Sequence, residues 1–138
     1  LARPDLNDYF IQMAGLVSTR SSWPGTKVGC VLTKNGMVVS TGYNGTPRGW
    51  FNEMPKTQES KKYYCHAEEN AIAQAARMGA RTEDCVAYVT VSPCLTCARM
   101  MVNAGVRAVY YGARWDEYEG NLALDMLTQL GVQVTPKW

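Results

Sequence analysis

Apolar positions recur at helical spacing near the start of the chain, where Leu6, Tyr9, Phe10, Met13, Leu16 and Val17 trace one stripe. Pro4 and a potential cap, Asp5, precede it, so the pattern predicts a helix over residues 5–18. A polar stretch with turn residues, 18–26, interrupts the period. Residues 27–33 then read as a buried strand, Asn35-Gly36 as a two-residue type I′ turn, and 37–43 as the antiparallel return. No period holds over 44–64, and a connection that long in a compact domain is usually functional or mobile. A helical run opens at His66 and closes near Gly79; its alanines at 67, 71, 73, 75 and 76 permit close approach to a sheet. Residues 86–91 form a β-branched strand, a helix runs from Cys94 to Ala104-Gly105, and 106–111 form the next strand. A strand–helix–strand unit of that kind places its two strands parallel. A last helix, from about Gly120 to Leu130, and an alternating edge strand over 132–135 complete the order α-β-β-α-β-α-β-α-β. That order predicts a three-layer α/β/α sandwich with a mixed five-stranded sheet, in one domain spanning 1–138.

Composition narrows the class. The 138 residues are 46% hydrophobic and 19% charged, as in an ordinary soluble domain with a sizeable core. A net charge of +2 marks neither a nucleic-acid coat nor a membrane binder, though it tolerates a phosphate-bearing ligand. The cysteine count is odd, at five, and no leader-like segment or bilayer-length apolar run is visible, so a reducing, cytoplasmic setting is expected. The chain opens on Leu1, so an initiator methionine or a tag is expected to have been left off.

The chemistry concentrates between residues 65 and 99. His66, the only histidine, and the Cys94/Cys97 pair are donors that suit zinc. Three protein ligands leave a fourth tetrahedral position for water, which is the arrangement of a catalytic site. Glu68 is close enough in sequence to reach that water without being a ligand. Cys94 and Cys97 share one helical face, Pro93 suits the helix start with Ser92 as its cap, and a helix N-terminus favours thiolate. Other readings of these residues stay open: a four-ligand structural zinc completed by Cys30, Cys65 or Cys85, a redox CxxC pair, or ordinary core residues. Neither of the first two needs Glu68, and the combined H-x-E…P-C-x-x-C order is the pattern of zinc nucleobase deaminases.

Three further segments carry a resemblance: Arg20-Ser21…Pro24…Val28-Gly29-Cys30, then Gly42-Tyr43-Asn44-Gly45-Thr46-Pro47-Arg48-Gly49, then Cys65-His66-Ala67-Glu68-Glu69-Asn70-Ala71-Ile72. With them the chain, from about Tyr9 to Val134, resembles the deoxycytidylate (dCMP) deaminases of the cytidine deaminase-like superfamily. The resemblance implies one catalytic zinc on His66, Cys94 and Cys97, with Glu68 as the proton shuttle in hydrolysis of dCMP to dUMP and ammonia. It implies that Asn44 contacts the deoxyribose, and that Gly42, Tyr43, Gly45 and Arg48 border an allosteric site for dCTP with magnesium as activator and dTTP as inhibitor. Members of this family are commonly hexamers, so a homo-oligomer is expected. Some carry a second, structural zinc on extra histidines, which a chain with one histidine lacks. Glu69 departs from the usual Leu or Gln at its position. Arg20 and Ser21 are the candidates for the 5′-phosphate, since a charge-assisted fork separates nucleotide from nucleoside. Of the cationic residues in the 44–64 connection, Arg48 sits in a tight Pro-Arg-Gly turn, whereas Lys56, Lys61 and Lys62 read equally well as solvated surface. Alternative substrates (dCTP, cytosine, guanine or adenosine in tRNA) share the zinc residues, and a non-enzymatic zinc-stabilised module is the alternative of another class.

Overall fold

The structure is a computed structural model that describes residues 2–50 and 57–137. Helix α1 (Leu6–Ser18) is capped by Asp5, whose carboxylate accepts from the Asp8 backbone N–H at 2.8 Å. Strands β1 (Gly29–Lys34) and β2 (Met37–Tyr43) form the hairpin, and φ is positive at both Asn35 and Gly36, as a type I′ turn requires. A short helix α2 (Gln58–Lys61) follows, then α3 (Ala67–Met78), β3 (Val86–Val91), α4 (Leu95–Asn103), β4 (Ala108–Ala113), α5 (Glu117–Gln129) and β5 (Gln133–Pro136). The sheet order is β2-β1-β3-β4-β5; β1 is antiparallel to β2 and β3, and β3-β4-β5 are parallel. The expected mixed five-stranded sheet is therefore present, with the β3-α4-β4 unit parallel.

Side-chain alternation divides the core into two layers. Cys30, Leu32, Ala87, Val89 and Val109 face α3, α4 and α5, while Val31, Val86, Tyr88 and Ala108 face α1 alone. Ala67 and Ala71 of α3, and Ala98 and Met101 of α4, bring those helices onto the first layer. Close approach is tightest at Gly42. A Cβ there would fall on the backbone of α3, at Ala71 N and Ala67 O. Beside it, the Ser40 hydroxyl donates to the Ala71 carbonyl at 2.7 Å. Those contacts lock the first turns of α3 against the end of β2. No helix among the described residues is long and apolar enough to cross a membrane.

Three details differ from the sequence-based expectation. The buried face of α1 is turned toward Phe10, Ile11 and Ala14, leaving Leu6, Tyr9 and Leu16 exposed. Small Ala14 lies under Gly29 of β1, so the closest approach decides the face and bulk does not. Helix α5 begins at Glu117 because Asp116 accepts from the Tyr118 and Glu119 N–H groups, ahead of the apolar period that marked its start. The long connection holds α2, closed by reciprocal Thr57 and Ser60 hydrogen bonds; Lys56 lies outside the described residues.

Replacing Gly42 by alanine drives a methyl group into backbone that cannot swing aside. Gly42→Ala is expected to cost at least the roughly 1–3 kcal/mol typical of overpacking. Thr41→Ala, at the exposed neighbouring position of the same strand, should stay within about 0.5 kcal/mol. Urea titration of both variants checks the difference; equal midpoints would remove the argument for close packing.

Candidate active site

Two helix starts build the site. His66 is the N-cap of α3 and Cys94 the N-cap of α4, both with extended backbone, so each side chain leaves its helix at the N-terminal end. Cys97, in the first turn of α4, donates its backbone N–H to the Cys94 sulfur at 3.5 Å. His66 Nδ1 lies 3.3 Å from Cys97 Sγ and 3.5 Å from Cys94 Sγ. A tetrahedral zinc with ordinary Zn–N and Zn–S bonds has N···S edges of about 3.5 Å, so the three donors fit that ion. Among the described residues this is the only His/Cys/Asp/Glu cluster compact enough to hold a metal. Cys30 and Cys85 are fully buried in or beside strands and are not in the cluster, and neither is Cys65. Among the described residues the donor set therefore has three protein ligands, and none of Cys30, Cys65 and Cys85 joins it as the fourth that a structural site needs.

Capping chemistry also explains Glu69. It occupies the third position of α3, and its carboxylate accepts from the His66 backbone N–H at 2.8 Å. The carboxylate thus fixes the main chain that carries the histidine. Ser92 does not cap α4. Its hydroxyl accepts from the Trp115 backbone N–H at 2.9 Å, because Cys94 already serves as cap one residue past Pro93.

Electrostatics follow from burial and proximity. The Cys94 thiol is held down to about 4, chiefly by the hydrogen bond from the Cys97 thiol and then by His66 and the Cys97 backbone N–H. Cys97 is pushed up, chiefly as the donor to Cys94 and then by burial. His66 is raised to about 9, first by its hydrogen bond with Cys94. The protons held on Cys97 and His66 beside the Cys94 thiolate are what a divalent cation displaces. Glu68, only 5% exposed, stands beside them. Burial pushes its carboxyl up to about 7, against its own backbone N–H and the His66 ring. A carboxyl poised near neutrality is suited to moving protons both ways.

His66, Glu68 and Cys94 stand on the wall of a cavity of about 370 Å³, at the carboxyl end of β3, with Cys97 buried behind them. Its sides are formed by Val28, Asn44, Lys61, Tyr64, Ser92 and Trp115. Asn44 is where the sequence predicts a binding residue, but its amide also works structurally. Oδ1 accepts from Val28 N at 2.8 Å, and Nδ2 donates to Thr26 O at 3.0 Å, leaving one Nδ2 hydrogen for a ligand. Arg20 and Ser21 are not on this wall. They line a second cleft, of about 950 Å³, with Gly42, Tyr43, Gly45 and Arg48. Arg20 lies over the Tyr43 ring at 6.0 Å, and Arg48 donates to Gln74 at 2.7 Å. Ser21 is buried, donating to Asn44 O at 2.7 Å and accepting from Trp23 N at 3.1 Å. The structure thus gathers the metal donors, Glu68 and Asn44 at one cavity, and the remaining candidates at the other. Tyr64 and Trp115 were missed as cavity residues because they lie in aperiodic segments whose return to the site only tertiary structure reveals, and Lys61, which read equally well as solvated surface, lines the cavity with them.

Fold and donor set together define a zinc-dependent hydrolase of the deaminase class. The model of the cytidine and deoxycytidylate deaminase zinc-binding region matches residues 4–113, and the chain belongs to that family. It is 39% identical over 135 residues to an uncharacterized deaminase of Aliivibrio fischeri, covering 91% of this chain and 89% of that one. It is 31% identical over 166 residues to the deoxycytidylate deaminase of enterobacteria phage T4, covering 90% and 86%. The crystal structure of the dCMP deaminase of cyanophage S-TIM5 in complex with dCMP and dUMP superposes with a TM-score of 0.88 at 31% identity, over 99% of this chain and all of the other.

The metal assignment predicts one zinc per chain by elemental analysis. Cys94→Ser and Cys97→Ser should lose it, whereas Cys30→Ser and Cys85→Ser should retain it. Metal loss from either of the latter pair would return the structural four-ligand site to consideration.

Proposed function

We propose that the protein hydrolyses dCMP to dUMP and ammonia. The observation that carries the reading is Glu68, buried beside the three metal donors on the wall of a cavity of nucleotide-binding size. The likeness to deaminases of dCMP, one of them a complex with dCMP and dUMP, favours that substrate over the other amino-bearing bases. His66, Cys94 and Cys97 hold the zinc, which when bound supplies a Lewis acid that brings the pKa of water near neutrality. Glu68 takes a proton from the attacking water and delivers it to N3 of the cytosine ring. Water oxygen bonds to C4, Glu68 passes the second proton to the amine, and the C4–N bond breaks to release ammonia. Asn44 offers its free amide hydrogen to the deoxyribose while its other two bonds hold the cavity wall.

The second cleft suits a polyphosphate effector. Arg20, Arg48 and Arg77 converge on it, and the Gly42–Gly45 segment divides it from the cavity. Asn70 ties that segment to α3 by donating to Tyr43 O at 2.8 Å, two residues after Glu68. A triphosphate with magnesium bound there orders the segment that carries Asn44. In this reading dCTP activates, dTTP inhibits, and the cooperating unit is a cytoplasmic homo-oligomer, a hexamer in the family's usual form.

Glu68→Gln should keep fold and zinc and lose about 10²–10⁴-fold in turnover, the usual contribution of a positioned acid–base group. Ammonia release across dCMP, dCTP, cytidine, cytosine, guanine and tRNA adenosine checks the substrate; a zinc-loaded protein inert toward dCMP sinks the reading. Saturation by dCMP should be sigmoidal and become hyperbolic with dCTP and magnesium, with a coupling of about 1–3 kcal/mol. Hyperbolic kinetics indifferent to both triphosphates, in a protein that sediments as an oligomer, would leave the second cleft without an effector role.

A further inference from the structure

The three metal donors are not held equally. Cys94 and Cys97 are buried, and the Cys97 backbone N–H reaches the Cys94 sulfur within the first turn of α4. His66 is the exposed member of the set. Packing constrains it least, so its place depends on how its main chain is tied. On one side, Cys65 N–H donates to Gly45 O at 2.7 Å and Cys65 O accepts from Gly45 N–H at 3.1 Å. On the other, His66 O accepts from Asn70 N–H at 3.0 Å, the first rung of α3. Between them, the His66 N–H has left the Gly45 pairing and precedes the helical ladder, which offers it no acceptor. Its partner is the Glu69 carboxylate, at 2.8 Å. Glu69 is half-buried, and it stands where the chain departs from the usual Leu or Gln. A leucine there could not accept that bond, whereas a glutamine could.

We infer that Glu69 is a positioning residue for the metal: its bond to the His66 main chain holds Nδ1 in place against the two sulfurs and so sets how tightly the chain retains zinc. The inference rests on the three-donor site and is independent of which base is the substrate. Its reason is geometric. Nδ1 stands 3.3 Å from Cys97 Sγ and 3.5 Å from Cys94 Sγ, separations that already suit a tetrahedral ion. Little has to move when the ion arrives. Without the Glu69 bond the His66 N–H turns to water and the start of α3 frays, so the ion itself must order the ring. The cost of that ordering is subtracted from the affinity. Groups that orient a ligand without touching the metal typically change metal affinity by about 10- to 100-fold.

Competition against a chromophoric zinc chelator reads this directly, with zinc as the only added ligand. Glu69→Leu should bind zinc about 10- to 100-fold more weakly than the wild type. Glu69→Gln keeps the acceptor and removes the charge, so it should restore most of that affinity. Asp5→Ala removes the corresponding cap bond from α1, a helix that carries no metal donor. It should lower the urea midpoint, as Glu69→Leu does, and leave zinc affinity at the wild-type value. Wild-type zinc affinity in Glu69→Leu overturns the inference. So does an equal loss in Glu69→Gln, which would make the charge responsible and not the tether. An equal loss in Asp5→Ala overturns it as well, because general stability would then explain the effect. Each of those outcomes leaves the three-donor site standing. A wild-type chain that binds no zinc removes the site and the tether together.

Discussion

Three soft donors from two helices must meet at one point, and that requirement organises the rest of the molecule. His66 and Cys94 are caps, so their positions follow from where α3 and α4 begin. A helix start is a rigid reference, since its first N–H groups demand partners and its backbone geometry is fixed at the cap. Here the demands and the ligands coincide. Cys94 is at once the acceptor for the first turn of α4 and a metal donor, and Glu69 secures the His66 main chain from within α3. The sheet then sets the separation of the two starts. α4 begins just past the end of β3, and α3 is drawn onto β2 by Gly42, Ser40 and a row of alanines. Enlarging any of those small residues moves a ligand, although none of them touches the metal.

The same economy governs the strip of chain between the two clefts. Asn44 closes the gap between β2 and the entry to β1 with three hydrogen bonds to Thr26 and Val28, two through its side chain. Gly45 pairs with Cys65 immediately before His66, by bonds of 2.7 and 3.1 Å in both directions. One face of this strip borders the metal donors and the other borders the arginines. A ligand on either side therefore acts on the same backbone. Its few hydrogen bonds, held between a sheet end and a helix start, are the physical element through which two occupancies can bias each other.

What the sequence made legible divides along the same line. Period and punctuation located every strand and the four long helices, because alternation, Asn35-Gly36 and Gly79 are local signals with local causes. The metal donors and Glu68 were legible for a different reason: their chemistry restricts residue type so strongly that type and order suffice. Neither source says which aperiodic segment returns to which wall. Ser21 adjoins Asn44 through its buried hydroxyl and Arg20 lies over the Tyr43 ring, and yet both line the other cleft. Ser92 looks like a cap by position, and becomes the anchor of the Trp115 backbone only because β4 ends beside it. The α1 face was misplaced by one row because the missing side chain at Gly29 lets the α1 backbone at Ala14 come close to β1, which a count of apolar residues does not register.

Tyr64 shows how an absence of local signal becomes informative in three dimensions. In the chain it is one of two tyrosines before Cys65, in a segment with no period. In the fold its ring packs on Trp23, and its hydroxyl is, among the described residues, the one buried side-chain polar atom without a partner. A native chain satisfies its buried polar groups almost without exception, so this hydroxyl stands out among them. The metal donors carry a related signature, since the protons held on Cys97 and His66 beside the Cys94 thiolate are what a bound cation displaces. Tyr64 and the metal donors are thus groups that the folded chain alone leaves incomplete.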